Sequence, residues 1–227
     1  MGFDNLHKKR QGNLKKRKEN IKEVEPLRFL IVCEGKKTEP NYFEPLKNQI
    51  NAKYRPDLIN LKVECIDIVG AGKNTESLID YTIKLRDNAN INYGNVWCVF
   101  DKDSFTSNQF NNAISKAGNE NIKTAWSNEA IELWFLLHFE YLNTGIGREQ
   151  YIEKLNGHFK KYKINKGKYE KSLNDIYQIL EKYGNYDNAV KYAKKLEKIN
   201  LKETPAKSKP MTKVYELVEE LKVLLEK

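Results

Sequence analysis

The chain has 227 residues, 40% hydrophobic and 31% charged, with a net charge of +9. That length holds one sizeable domain plus a smaller addition, with core enough to fold unaided. No apolar run reaches the roughly 18–20 residues of a membrane span, and the lysine-rich start lacks the apolar stretch of a secretion signal, so membrane and exported classes are set aside.

Residues 1–26 carry eight Lys/Arg against four acids and almost no apolar periodicity, and they read as a basic N-terminal arm, disordered or ordered late. From Leu27 the texture changes. "LRFLIVC" is a short β-branched run of the kind a strand buried on both faces shows. It runs into Glu34 and Gly35; Thr38 can then cap a helix with Pro40 in its first turn and an apolar stripe of Tyr42, Phe43 and Leu46. "LKVECIDIV" (61–69) predicts a second strand, ending in "GAGKNT", after which Asn74 or Thr75 can cap a helix with Leu78, Ile79, Ile83 and Leu85 inward. "NVWCVF" (95–100) predicts a third strand, followed by "DKDSF" and a helix over 107–117. "IKTAWS" (122–127) predicts a fourth, and 128–142 the most apolar helix of the chain, with Ser127 and Asn128 as its capping residues.

After 143 no strand is expected; helical spacing with lysine-rich outer faces covers 148–159, 169–183, 186–199 and 211–226. The expected organisation is therefore the arm (1–26), an α/β domain with a four-stranded parallel sheet (27–143) and a helical basic region packed on the core (144–227). Cys33, Cys65 and Cys98 each fall in a strand-like run, an odd count without metal-ligand spacing, which fits reduced core thiols in a cytoplasmic protein. Charge is uneven: 27–140 carries thirteen bases against fifteen acids, 141–210 sixteen against eight. A slightly acidic middle between basic flanks suits a protein that grips a polyanion, although lysine-rich helix faces alone give a similar pattern.

In a parallel sheet the C-terminal strand ends share one edge, where ligands bind. Glu34 follows the first strand, Asp101 and Asp103 the third, and the i, i+2 spacing of "DKD" aims both aspartates one way. Three carboxylates converging there repel one another unless a cation lies between them, and hard oxygen donors suit Mg²⁺ or Mn²⁺. Gly35 is expected to let backbone or substrate come close behind Glu34. Glu132, in an apolar helix that opens after the fourth strand, either faces the same crevice as a further acid or pairs with a basic residue. His138 reads as a core histidine before a proton-transfer group. "GAGKNT" fails as a phosphate loop, because Asp67 stands where the first glycine is needed; it is expected only to border the substrate. In "GKYEKS", Lys168, Tyr169 and Lys171 mix phosphate-binding and base-stacking types.

The layout resembles the Toprim domain, and within it the chain resembles the RloB family, also called AbiLii-like, of bacterial phage-defence and restriction–modification loci. The likeness is carried by "LIVCEGKKTEPNYF" (30–43), "VFDKDSF" (99–105), "SNEAIELWFLLHF" (127–139) and "PMTKVYELVEEL" (210–221). Glu129 stands where that family commonly has proline and Ile131 where it has phenylalanine, departures expected to touch packing and capping only. The resemblance implies a Toprim nuclease, with Asp101 and Asp103 as metal ligands and Glu34 as ligand or general acid/base. Lys36, Lys37 and Lys102 stand near enough in sequence to supply charge to the phosphate. It also implies an AAA-type ATPase partner (RloA/AbiLi-like) and DNA, RNA or tRNA as substrate. Competing readings are a nucleic-acid or partner-binding module without turnover and, less well, a DxD nucleotide-sugar transferase, which leaves Glu34-Gly35 unexplained. A dehalogenase-type phosphatase would need its DxD on the first strand.

Overall fold

A computed structural model describes residues 24–58, 64–103 and 105–226. Four parallel strands, β1 (Val24–Cys33), β2 (Ile66–Gly70), β3 (Asn92–Asp101) and β4 (Lys123–Asn128), are joined by α1 (Thr38–Leu58), α2 (Thr75–Asp87) and α3 (Ser107–Asn119). The strand order is β2-β1-β3-β4, extended by a fifth strand, β5 (Met211–Thr212), antiparallel to β4. The sheet is thus mixed and five-stranded rather than the four-stranded parallel sheet expected. The extra strand lies inside the segment read as a helix over 211–226, of which α8 covers Val214–Glu226. Two residues are too few to leave a periodic signal in sequence. They are held because Lys213 N–H donates to the Trp126 carbonyl at 2.7 Å and the hydroxyls of Ser127 and Thr212 meet at 2.9 Å.

Strand alternation builds the two cores. Phe29, Ile31 and Cys33 face one side with Trp97 and Val99; Leu30 and Val32 face the other with Cys98 and Phe100. The second side is covered by α2 and α3 through Leu78, Ile79 and Phe110. The first is covered by α1 and α8, and this core continues without a break into α4 (Glu132–Leu137), α5 (Arg148–Tyr162), α6 (Ile176–Tyr183) and α7 (Tyr186–Ile199). All three cysteines are buried in the core, as expected, and Cys65 Sγ donates to the Leu27 carbonyl at 2.7 Å.

Several local expectations are corrected. Val24 and Glu25 already pair with Asn92 and Tyr93, followed by a register shift, so the arm ends before 26; residues 1–23 and 61–63, the start of the predicted second strand, lie outside the described residues. The helix expected over 128–142 is six residues long. Glu129 has φ +87°, a conformation that stops a helix from running back to 128 and that proline cannot adopt. Every side chain of α4 is buried, and a helix buried all round carries no period to mark its ends. The predicted helix 169–183 begins only at Ile176. Thr38 does not act as a cap: its hydroxyl donates to the Lys171 carbonyl at 2.9 Å. Asn74 does, accepting from Ser77 N–H at 3.0 Å.

Ser127 and Asn128 cap nothing either; α4 has no side-chain cap. Asn128 is fully buried and donates through Nδ2 to the carbonyls of Pro205 and Ala206, both at 3.0 Å, tying the α7–β5 connection to the end of β4. Asn128→Ala removes the donor from both carbonyls, leaving Ala206 O without it in the interior while Pro205 O keeps Ser208 N–H at 3.3 Å. It is expected to lower stability by roughly 2–4 kcal/mol in chemical denaturation, well above the ~1 kcal/mol of a lost helix cap.

Candidate active site

At the C-terminal edge of the sheet lies a cleft of about 290 Å³. Five of its described lining residues are acids, Glu34, Glu39, Asp101, Asp103 and Glu132; two are bases, Arg148 and Lys171. Glu34, Asp101, Asp103 and Glu132 were expected there. Glu39 and Arg148 were not.

Each acid is set by local backbone. Glu34 leaves β1 with its N–H on the Val99 carbonyl (2.8 Å), and its Oε2 accepts from Asp101 N–H at 3.1 Å. The loop after β2 braces the same backbone: Ala71 N–H donates to Cys33 O and Gly72 N–H to Glu34 O, at 2.9 and 2.8 Å. "GAGKNT" therefore positions Glu34 from behind; none of Gly70–Asn74 lines the cleft. Asp101 ends β3 and is 6% exposed, while Asp103 sits in the turn beyond it at φ +29°, its N–H on the Glu129 carbonyl at 3.2 Å. Glu132, 1% exposed, opens α4 and accepts from the Tyr169 hydroxyl at 3.2 Å. Glu39 is buried in the first turn of α1, and burial, with Glu132 beside it, raises its carboxyl against the N–H groups of Glu39 and Gly35. A Cβ on residue 35 would collide with the Glu39 carboxylate, so the glycine leaves room for Glu39, and it also lines the cleft.

Arg148, the first residue of α5, enters this cluster from the helical region. Its Nη2 donates to Asp101 at 2.7 Å and its Nη1 to Asp103 at 2.6 Å; its Nε stands 3.6 Å from Glu132 Oε2. That last distance is too long for a hydrogen bond, and both atoms are buried without one. Burial pushes the Glu34 carboxyl up to about 7, with the neighbouring Glu39 and Asp103 adding to it against the Asp101 N–H. Burial, with Glu39 and Glu132 beside it, also raises Asp101 against the pull of Arg148. The guanidinium is held charged: burial works against it, but Asp101, Glu132 and Asp103 prevail.

Glu34, Asp101 and Asp103 share the cleft, as expected, but do not stand as one simple cage. Among the described residues no three acidic, imidazole or thiol groups are gathered into a ready metal-binding set. Glu34 is turned onto an amide, and the guanidinium lies between the aspartates and Glu132. The donor set nonetheless fits a hard divalent ion: all oxygens, more negative charge than the two bases neutralise, and an orphaned carboxylate oxygen on Glu132.

The remaining candidates separate clearly. Lys36 and Lys37 are exposed and Lys102 is half-buried, and none lines the cleft; Lys36 packs its stem over Gly72. Tyr169 is 6% exposed and serves Glu132, so it cannot stack on a base. Lys168 is exposed outside the cleft, and Lys171 lines it. His138 is 4% exposed, has its Nδ1 2.9 Å from the Trp134 carbonyl and is pushed down to about 4 by burial; it is a neutral core residue outside the cleft. Glu39 left one readable trace, the helix-opening glutamate four residues after Gly35. Arg148 left none, because its partners lie 45 and 47 positions away.

A family model for RloB-like proteins matches residues 29–221. No curated protein and no solved structure matches the chain.

The raised Glu34 makes stability depend on pH. Its folded value of about 7 lies above the ordinary 4.5, so its contribution is present at acid pH and lost as pH rises through about 7. Thermal melting in EDTA across about pH 5 to 8 should show wild type losing stability relative to Glu34→Gln as pH rises. A difference that does not vary with pH would mean that burial does not govern this carboxyl.

Proposed function

The chain belongs to the RloB-like protein family, and we propose that it is a metal-dependent nuclease of Toprim type that hydrolyses phosphodiester bonds of DNA or RNA, tRNA included. The observation that carries this reading is the acid cluster at the sheet edge, five carboxylates against two bases in one cleft, with Glu39, Asp101 and Glu132 buried. Burying that many acids without a dedicated use is costly. Asp101, Asp103 and Glu132 would hold Mg²⁺ or Mn²⁺, which when bound polarises phosphoryl oxygens and makes water a better nucleophile. Glu34, with its carboxyl near 7, exchanges protons readily at neutral pH and can take one from the attacking water or return it to the leaving oxygen. The amide of Asp101 keeps it oriented.

A polyanion needs a route past those acids. Lys160, Lys161, Lys163, Lys166, Lys168 and Lys171 are all exposed along the end of α5 and the strap that follows, and Lys171 reaches the cleft. The strap is fastened to α1: Asn41 Nδ2 donates to Ser172 O, Leu173 O and Asn174 Oδ1 at 3.3, 3.2 and 3.0 Å, beside the Thr38 bond to Lys171 O. Such a row supplies sequence-independent phosphate contacts. The role in anti-phage abortive infection, and an AAA-type ATPase partner, belong to the same proposal and rest on the family resemblance. The arginine seated among the acids favours a second reading, a nucleic-acid-binding module without turnover.

Plasmid, single-stranded DNA and tRNA incubated with the purified protein separate the two. Cleavage of at least one is expected with Mn²⁺ and not with EDTA, falling about a hundredfold or more in Asp101→Asn and Asp103→Asn. EDTA-insensitive binding with no cleavage of any substrate would establish the binding module. Independently, Lys168→Ala/Lys171→Ala is expected to weaken binding alike across sequences and to flatten the log K against log salt slope by about 0.7–0.9 for each phosphate no longer neutralised.

A further inference from the structure

The place a divalent ion would take between Asp101 and Asp103 is held by a cation of the chain itself. We propose that Arg148 is a displaceable counter-cation: it neutralises the acid cluster in the metal-free protein, and it and a divalent ion exclude one another at Asp101 and Asp103. This deepens the proposed hydrolytic reading and rests on it.

Three observations support exclusion. The fork of Arg148 spends one nitrogen on each aspartate at 2.7 and 2.6 Å, so an ion bound to those same oxygens would meet the guanidinium. Its fit is incomplete: the third nitrogen stops 3.6 Å from Glu132, leaving Arg148 Nε and Glu132 Oε2 both buried without a hydrogen bond. A single positive charge thus bridges two acids and falls short of the third, where a doubly charged ion taking six oxygens would satisfy all three. Finally, the helix does not hold the side chain in place once an ion takes over its charge. Arg148 opens α5, preceded by Gly147 in an extended conformation with open space around its Cα, so rotating a long side chain towards the mouth leaves the helix in place.

Titration of the metal-free full-length protein with Mn²⁺ or Mg²⁺ by calorimetry tests this. Arg148→Gln should bind Mn²⁺ about tenfold or more tighter than wild type, because the ion no longer displaces a charge. Its metal-free melting temperature should be lower, and its gain on adding Mn²⁺ larger, than in wild type. Arg148→Lys, which keeps the charge but cannot fork, should fall between. In wild type itself, the ¹⁵N signal of the Arg148 Nε–H, identified by its absence in Arg148→Lys, should move to the free-guanidinium position on adding Mg²⁺, a readout that does not require Arg148→Gln to fold. Equal or weaker Mn²⁺ binding by Arg148→Gln, or an Nε–H signal unmoved by saturating Mg²⁺, overturns the displacement while leaving a metal site intact. Absence of Mn²⁺ binding by both wild type and Arg148→Gln overturns the displacement and the metal-dependent reading together.

Discussion

Like charges forced together at one end of a sheet set the terms for the rest of this molecule. Asp101 and Glu132 are almost entirely out of solvent, and Glu39 is nearly so. Carboxylates at such spacing stay ionised only beside a positive charge. Arg148 supplies it, and removing one partner from a buried ion pair of this kind typically costs about 3–5 kcal/mol. Neighbouring irregularities can be read as serving that arrangement. The positive φ of Asp103 turns its carboxylate onto the arginine, Gly35 clears room for Glu39, and the loop after β2 clamps the backbone of Glu34.

The same charge distribution constrains what the cleft can receive. An acid cluster repels a phosphodiester, so any such ligand must be drawn in by bases nearby and accepted by a cation within. The exposed lysines from Lys160 to Lys168 lie outside, Lys171 lines the cleft and the acids are inside, an order that suits attraction first and chemistry second. Tyr169 joins the two zones. It sits among these lysines in sequence, yet its ring is packed on Phe135 and Phe159 and its hydroxyl meets Glu132, so the strap carrying the basic row also finishes the acid pocket.

What the sequence revealed follows the reach of each signal. The βα alternation was legible because strands and helices of ordinary length repeat their apolar period, and Glu34, Asp101 and Asp103 were legible because topology alone brings strand ends to one edge. β5 was not, since two residues have no period and its partner strand lies 85 positions earlier. Tyr169 looked like a surface aromatic because its lysine neighbours are exposed, whereas burial alternates sharply along that segment. Ser127 and Asn128 have the chemistry of capping residues, and only the partners that tertiary structure supplies, Thr212 and the carbonyls of Pro205 and Ala206, assign them elsewhere. Arg148 was an ordinary helix-opening residue until the fold set it among acids.

The short span between Leu142 and Arg148 joins a set of acids to the arginine that neutralises them. While the chain is being synthesised, the segments bearing Glu34, Asp101 and Glu132 emerge before the residue that lets them sit together. An incomplete polypeptide must therefore keep that edge of the sheet hydrated or protonated, and the cluster can close only after translation has passed the start of α5. A centre completed so late spends the early life of the protein unable to form.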